Sequence, residues 1–95
     1  MVQGLIIHPE DNVAVVTSTV PKGGIVDCTI DGKSFCTVIA REEIPIYHKI
    51  AIQFIPQNAA IKKYGYVTGV AVCDIAQGSH VHCHNIVSCS LKEEA

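Results

Sequence analysis

The apolar residues of this chain fall in short runs, each ended by a residue that favours a turn. Seven such runs cover residues 5–8, 12–17, 24–30, 34–39, 49–55, 66–73 and 81–87. Runs of this length between turn residues are typical of β-strands. The Asp31-Gly32 pair between the third run and the fourth favours a hairpin. The pattern therefore predicts an all-β protein, with residues 41–43 as the one short candidate for a helical turn.

A seven-residue turn pattern recurs: an aliphatic residue, two spacers, a corner residue, two spacers and a second aliphatic residue. Its four copies span residues 20–26, 44–50, 55–61 and 75–81, with the corner residues Gly23, Tyr47, Asn58 and Gly78. Gly adopts positive φ freely and Asn more readily than most residues, so we expect a left-handed corner. In three copies Pro follows the first aliphatic residue, which suggests Pro at the first corner of the turn. Four such turns, with strain or a different turn at Tyr47, predict a bent, folded-over sheet or a small barrel.

Composition supports strands and narrows the possible partners. Twelve Val and thirteen Ile stand against two Leu, and β-branched side chains fit a pleated sheet better than a helix. The net charge of −2 and the lack of a basic cluster predict that neither nucleic acid nor a membrane is a partner. No apolar run approaches the ~20 residues of a membrane span and no signal peptide is recognisable, so we expect a cytoplasmic protein.

The five cysteines form no Cys-x-x-Cys pair, which favours reduced thiols packed as small apolar side chains. Cys28 and Cys36 lie on either side of Asp31-Gly32, so they could occupy neighbouring strands. We expect no disulfide between them.

Three of the five histidines, His80, His82 and His84, occupy alternate positions. In an extended strand they would share one face, and imidazole is both the commonest protein metal ligand and a ready acid or base. Adjacent members would lie roughly 6.6 Å apart but the outer two roughly 13 Å, so all three can share an ion only if the strand bends. We predict that this face is functional. The other ligands of a complete site would come from elsewhere, in this chain or in another. Either the histidines hold a metal, or they orient an anionic substrate while a partner holds the metal; a solvated polar face is the alternative.

Most of the chain resembles a known family, the SAF domain of altronate and galactarate dehydratases. The resemblance runs from about residue 5 to residue 87 and is most specific in the last of its motifs. Those motifs are Ile7-His8, Asp11-Asn12-Val13-Ala14-Val15, His48-Lys49, Lys63-Tyr64-Gly65, Gly69, Asp74-Ile75 and Gly78-x-His80-Val81-His82-x-His84-Asn85. It implies a β-clip fold in a single SAF-like domain over residues 1–95, with a core at about 5–87 and a tail at 88–95. One departure is Tyr47, because the family usually has Gly before this His-Lys pair.

The resemblance implies the small subunit of a lyase that dehydrates a sugar acid such as altronate or galactarate by metal-assisted β-elimination. We expect it to work with a separate large catalytic subunit and to be inactive alone. Whether it also forms a homo-oligomer stays open. A divalent metal such as Fe or Mn is implied, held here or mainly by the large subunit. The predicted site comprises His48, His82 and His84 as catalytic groups, His80, His82 and His84 as metal ligands, and Lys49, Lys63 and Asn85 for the anionic substrate.

Two alternatives remain open at this point. The chain also resembles the α subunit of (2R)-sulfolactate sulfo-lyase, in which bisulfite would leave in place of hydroxide. SAF domains of unrelated function instead suggest a non-catalytic module that binds carbohydrate or drives assembly.

Overall fold

The computed structural model describes residues 1–82 and 84–88, and all of the regular structure in them is β. The strands are β1 Val2–Ile6, β2 Val13–Val16, β3 Ile25–Ile30, β4 Lys33–Ile39, β5 Lys49–Ala51, β6 Ala60–Lys63, β7 Tyr66–Ala71, β8 His80–Val81 and β9 Ile86–Ser88. The all-β prediction is confirmed. In this part of the chain no helix is long and apolar enough to cross a membrane. The tail predicted at 88–95 lies, beyond Ser88, outside the described residues.

The strands form two sheets. One has six strands in the order β4-β3-β1-β2-β5-β8, and the other has three in the order β6-β7-β9. β1 pairs with β2 in antiparallel fashion and with β3 in parallel fashion. The predicted hairpin joins β3 to β4, with positive φ at Asp31 and Gly32. In this hairpin Cys28 lies opposite Cys36 and both are free thiols, as expected.

Four strands differ clearly from the sequence-based expectation. β1 covers Val2–Ile6, whereas residues 5–8 were predicted. The run at 81–87 is not one strand, because β8 ends at Val81 and the chain turns before β9 joins the other sheet. β5 ends at Ala51, well before residue 55. β6 was not predicted, because Ile61 is the one large apolar residue in its Ala-Ile-Lys-Lys sequence.

The four turn copies share one backbone geometry. Each corner residue has positive φ: 85° at Gly23, 67° at Tyr47, 73° at Asn58 and 91° at Gly78. The next residue donates its N–H to the carbonyl three positions back, as Gly24 does to Pro21 and His48 to Pro45. The left-handed corner is thus confirmed, but the Pro position is wrong. Pro lies one residue before the first corner, since it supplies the carbonyl that closes the turn.

The aliphatic residues of these turns form much of the interior. All eight are buried, with at most 2% of their surface exposed: Val20, Val26, Ile44, Ile50, Ile55, Ile61, Ile75 and Val81. The first aliphatic residues pair across the fold, Val20 with Ile44 and Ile55 with Ile75, through reciprocal backbone hydrogen bonds. The repeated pattern therefore specifies both the corners and the residues that the corners bury.

Two buried polar residues after β1 connect distant loops. Asn12 donates through its side chain to the carbonyl of Ala60 and accepts from the N–H of Lys62, both at 2.8 Å, which ties β2 to β6. The carboxylate of Asp11 accepts backbone N–H groups from residues 7, 8, 64 and 65. Burial alone would raise the pKa of Asp11, but these four donors together hold that pKa below its usual value.

Candidate metal centre

The imidazoles of His48, His80 and His82 meet at one place on the surface. One nitrogen of each ring lies within 4.8 Å of the corresponding nitrogens of the other two. The ring of His48 is stacked 5.0 Å from that of His80 and 4.4 Å from that of His82, measured between centroids. His48 and His80 are half-buried and His82 is exposed. The cluster is therefore anchored on one side and open on the other.

Strand register explains how segments 32 residues apart supply these rings. β5 and β8 are antiparallel, with Lys49 opposite Val81 and Ile50 opposite His80. The same register, continued by one residue, places His48 opposite His82. Directly opposed side chains in an antiparallel pair lie on the same face and in contact. His48 thus lies between the corner at Tyr47 and the start of β5, where it faces His82.

Asn85 shapes the turn that follows β8. Its side-chain oxygen accepts the backbone N–H of His82 at 2.9 Å, and its side-chain nitrogen donates to the carbonyl of His80 at 2.8 Å. The residue is buried, with 6% of its surface exposed. Both ends of the amide are therefore engaged with the backbone that carries two of the imidazoles. A direct contact between Asn85 and a substrate stays a prediction.

His84 lies beside the cluster and is exposed. Its ring is 5.3 Å from that of His80 and tilted by 41°. The bend after Val81 brings these two rings much closer than the roughly 13 Å expected along a straight strand. Among the described residues, however, the group whose nitrogens converge contains His48 and not His84. His48, which was predicted as a catalytic group, thus joins His80 and His82 in the converging group. His84, which was predicted as the third metal ligand, does not belong to that group.

The surroundings favour uncharged imidazoles at two of these positions. Partial burial lowers the pKa of His80, and the nearby imidazoles of His48, His84 and His82 lower it further. The pKa of His82 is also lowered, by loss of water, by His48, by the charge of Lys49 and by His84. Neutral imidazole is the form that binds a metal.

The donor set fits a divalent ion. The Nδ1 atom of His48 and the Nε2 atom of His80 are 2.8 Å apart, a hydrogen-bond distance between a protonated and an unprotonated nitrogen. Two nitrogens bound at about 2.0–2.1 Å to one tetrahedral ion would lie roughly 3.4 Å apart. That separation falls between the 2.8 Å of this pair and the 4.8 Å within which all three nitrogens lie. Imidazole suits iron and zinc among the first-row metals. Three neutral ligands would leave the full charge of the ion available to an anion.

Lys49 and Lys63, the two predicted substrate-binding lysines, act on each other electrostatically. Lys49 is half-buried in β5, and its pKa is lowered first by that burial and then by the like charge of Lys63. Lys63, at the end of β6, has its Nζ atom 4.7 Å from the centroid of the Tyr64 ring. Lys49 also lowers the pKa of His82, although the β5–β8 register puts Lys49 opposite Val81, on the other face of the strand from His48 and His82. Contact of either lysine with a substrate stays a prediction.

Glu42 is a contributor that the sequence did not indicate. One of its carboxylate oxygens accepts the backbone N–H of His80 at 3.1 Å, and its charge opposes the lowering of the His80 pKa. Residue 41 is held nearby, since its N–H donates to the carbonyl of Gly78. No local pattern announces this contact, because it depends on the chain after β4 passing against the turn before β8.

Comparisons with known proteins identify the family of the chain. The sequence model of the altronate/galactarate dehydratase SAF domain matches residues 2–89. Altronate dehydratases of Escherichia coli and Bacillus subtilis are 39% and 38% identical to the chain over 79 residues, 83% of its length. The α subunit of (2R)-sulfolactate sulfo-lyase from Paracoccus pantotrophus is 37% identical over 57 residues, which are 60% of this chain and 84% of that protein.

The described residues thus form an all-β domain of a kind that known enzymes also contain. The chain belongs to the altronate/galactarate dehydratase SAF-domain family. It spans 15% of the length of the altronate dehydratases that it matches.

Proposed function

We propose that this chain contributes a three-histidine divalent metal site and an anion-binding surface to a lyase that removes water from a sugar acid of the altronate or galactarate type. The convergence of His48, His80 and His82 carries the proposal, because three coordinating nitrogens within 4.8 Å are the arrangement that one ion requires. The names of the altronate dehydratase relatives support the substrate class.

The chain's own residues have separate tasks in this proposal. Lys49 and Lys63 attract the carboxylate of the substrate, for which their paired charges are suited. His84, exposed beside His80, is free to accept or return a proton during elimination. Asn85 and Glu42 act through other groups, since they hold the backbone of His80 and His82 in place. The metal, when bound, supplies positive charge that stabilises the negative charge developing on the substrate.

The remaining part of the active site is proposed to lie outside this chain, on a large catalytic subunit. The altronate dehydratases carry most of their length beyond the matched segment. In addition, the sulfo-lyase relatives are named as α subunits, which supports an enzyme of more than one chain. We therefore expect little activity from this chain alone.

Metal titration of the purified protein tests the site. We expect binding of one ion per chain when Fe²⁺, Mn²⁺ and Zn²⁺ are titrated in turn under anaerobic conditions and followed by calorimetry. His82→Ala should weaken binding by more than about a hundredfold, since even groups that only support a ligand are worth about ten- to a hundredfold. His8→Ala is the matched control, because His8 is exposed and lies outside the cluster. Equal affinity in both variants would contradict the proposal.

A second candidate function is that of a (2R)-sulfolactate sulfo-lyase α subunit. The observation that favours it is size, because the match covers 84% of the Paracoccus pantotrophus subunit. Assays of the chain with its large subunit, using altronate, galactarate and sulfolactate, separate the two candidates. Activity with none of them, or full activity without the chain, would instead favour a non-catalytic module.

A further inference from the structure

Tyr47 is the one corner residue of the four turns that is neither Gly nor Asn. Its φ of 67° matches the corners at Gly23, Asn58 and Gly78, so the four share one left-handed backbone conformation. That conformation is unfavourable for most side chains, because Cβ crowds the following carbonyl oxygen. Gly at position 47 would adopt it without this strain.

Backbone hydrogen bonds hold Tyr47 in this strained conformation, and packing of its side chain does little to offset the strain. Its N–H donates to the carbonyl of Val16 at 2.9 Å, and the next N–H, of His48, donates to Pro45 at 3.0 Å. The backbone is therefore fixed on both sides of the corner. The Tyr47 residue is 71% exposed, so burial of its ring contributes little to folding. The exposed ring is therefore available to contact a molecule outside the fold.

The position of Tyr47 indicates what that is. It directly precedes His48, and adjacent Cα atoms are about 3.8 Å apart. The Tyr47 backbone therefore lies next to one of the three histidines of the converging group. Strained residues persist where the surrounding structure imposes them, and they cluster at ligand sites.

We propose that Tyr47 is a specificity-determining residue that packs against the carbon chain of a sugar acid bound at the histidine cluster. This proposal rests on the proposed function and names the substrate class within it. Lys49, Lys63 and the imidazoles are suited to the carboxylate end, whereas a tyrosine ring offers a large apolar surface with one polar tip. An extended sugar acid reaches from the cationic groups to the ring. Sulfolactate is shorter and makes less contact with the ring, so Tyr47 favours binding of the sugar acid.

The test compares Tyr47→Gly with the matched control Asn58→Gly, which changes the equivalent corner away from the cluster. The urea unfolding midpoint and the metal affinity of both variants are measured in the chain itself. Their affinity for altronate and sulfolactate is measured in the metal-loaded complex with the large subunit. We expect Tyr47→Gly to raise the midpoint and leave metal affinity unchanged. It should weaken altronate binding by about tenfold and sulfolactate binding by less. Asn58→Gly should leave both anion affinities unchanged.

Several results would overturn the proposal. If Tyr47→Gly stabilises the protein and altronate affinity does not fall, Tyr47 does not contact the substrate, although the proposed function stands. If the variant instead loses association with the large subunit at unchanged altronate affinity, Tyr47 is an interface residue. If the unmodified protein together with its large subunit binds neither a metal ion nor altronate, the proposed function fails first, before any Tyr47 variant is compared.

Discussion

At the scale of single residues, Asn85 holds the backbone of His80 and His82 in place, although it is not itself a predicted metal ligand. Its amide joins the carbonyl of His80 to the N–H of His82. The resemblance implied only a substrate contact for Asn85, and it gave no sign of this role in holding the backbone. That role depends on the turn after β8, and the turn was not predicted because His80 to Val87 alternate like a strand.

Asn85→Ala should therefore lower both stability and metal affinity, although Asn85 is not a predicted ligand. Removing the amide leaves two backbone groups unpaired in a buried position, which costs about 2 kcal/mol. Chemical unfolding measures that cost and calorimetry measures the metal affinity. Gln77→Ala is the control, since Gln77 makes one hydrogen bond to the carbonyl of Ile52 from an exposed position. Unchanged metal affinity in Asn85→Ala would show that the turn does not depend on this amide.

Asp11 makes a pH-dependent contribution with a definite sign. Its folded-state pKa is lowered, so the ionised carboxylate stabilises the fold at pH values above the unfolded pKa of 3.8. That contribution is lost as the pH falls through the lower folded-state value. Asp11→Asn, which cannot accept all four N–H groups as an anion, should be about 2 kcal/mol less stable at pH 7. Urea unfolding at several pH values should show the difference shrinking below about pH 4; a difference independent of pH would contradict this account.

At the scale of elements, the repeated turn is the feature that sequence reasoning identified best. Positive φ favours Gly or Asn, and that local preference is met at three of the four corners. The strands were less predictable. β6 has a polar sequence because Lys62 and Lys63 reach solvent, and its pairing with β7 comes from the hairpin at Tyr64-Gly65 and not from an apolar pattern.

Gly78 and Gly23 occupy equivalent corners but differ in what surrounds them. A Cβ at Gly78 would overlap the carbonyl oxygen of Ile39, whereas a Cβ at Gly23 would meet nothing within 4 Å. Gly23→Ala should therefore cost about 1 kcal/mol from backbone strain alone. Gly78→Ala should cost at least about 3 kcal/mol, because the chain after β4 must also move. Thermal or urea unfolding of the two variants provides the comparison, and equal losses would show that the close approach at Ile39 is unimportant.

At the scale of the whole molecule, the candidate site forms where separate parts of the chain meet. His48 comes from the corner before β5, and His80 and His82 come from β8 and its turn. A local pattern could identify the histidine segment but not its partner, because the β5–β8 register becomes visible only in the folded chain. The resemblance to known dehydratases supplied His48 as a functional residue. It could not indicate that His48, and not His84, completes the converging group.

X-ray absorption spectroscopy of the metal-loaded protein tests the central claim most directly, since it counts the imidazole ligands of the bound ion. The account predicts three histidine nitrogens in the unmodified protein. His48→Ala should remove one of them, and His84→Ala should leave all three. A spectrum without histidine ligands, or the loss of a ligand in His84→Ala but not in His48→Ala, would contradict the site described here.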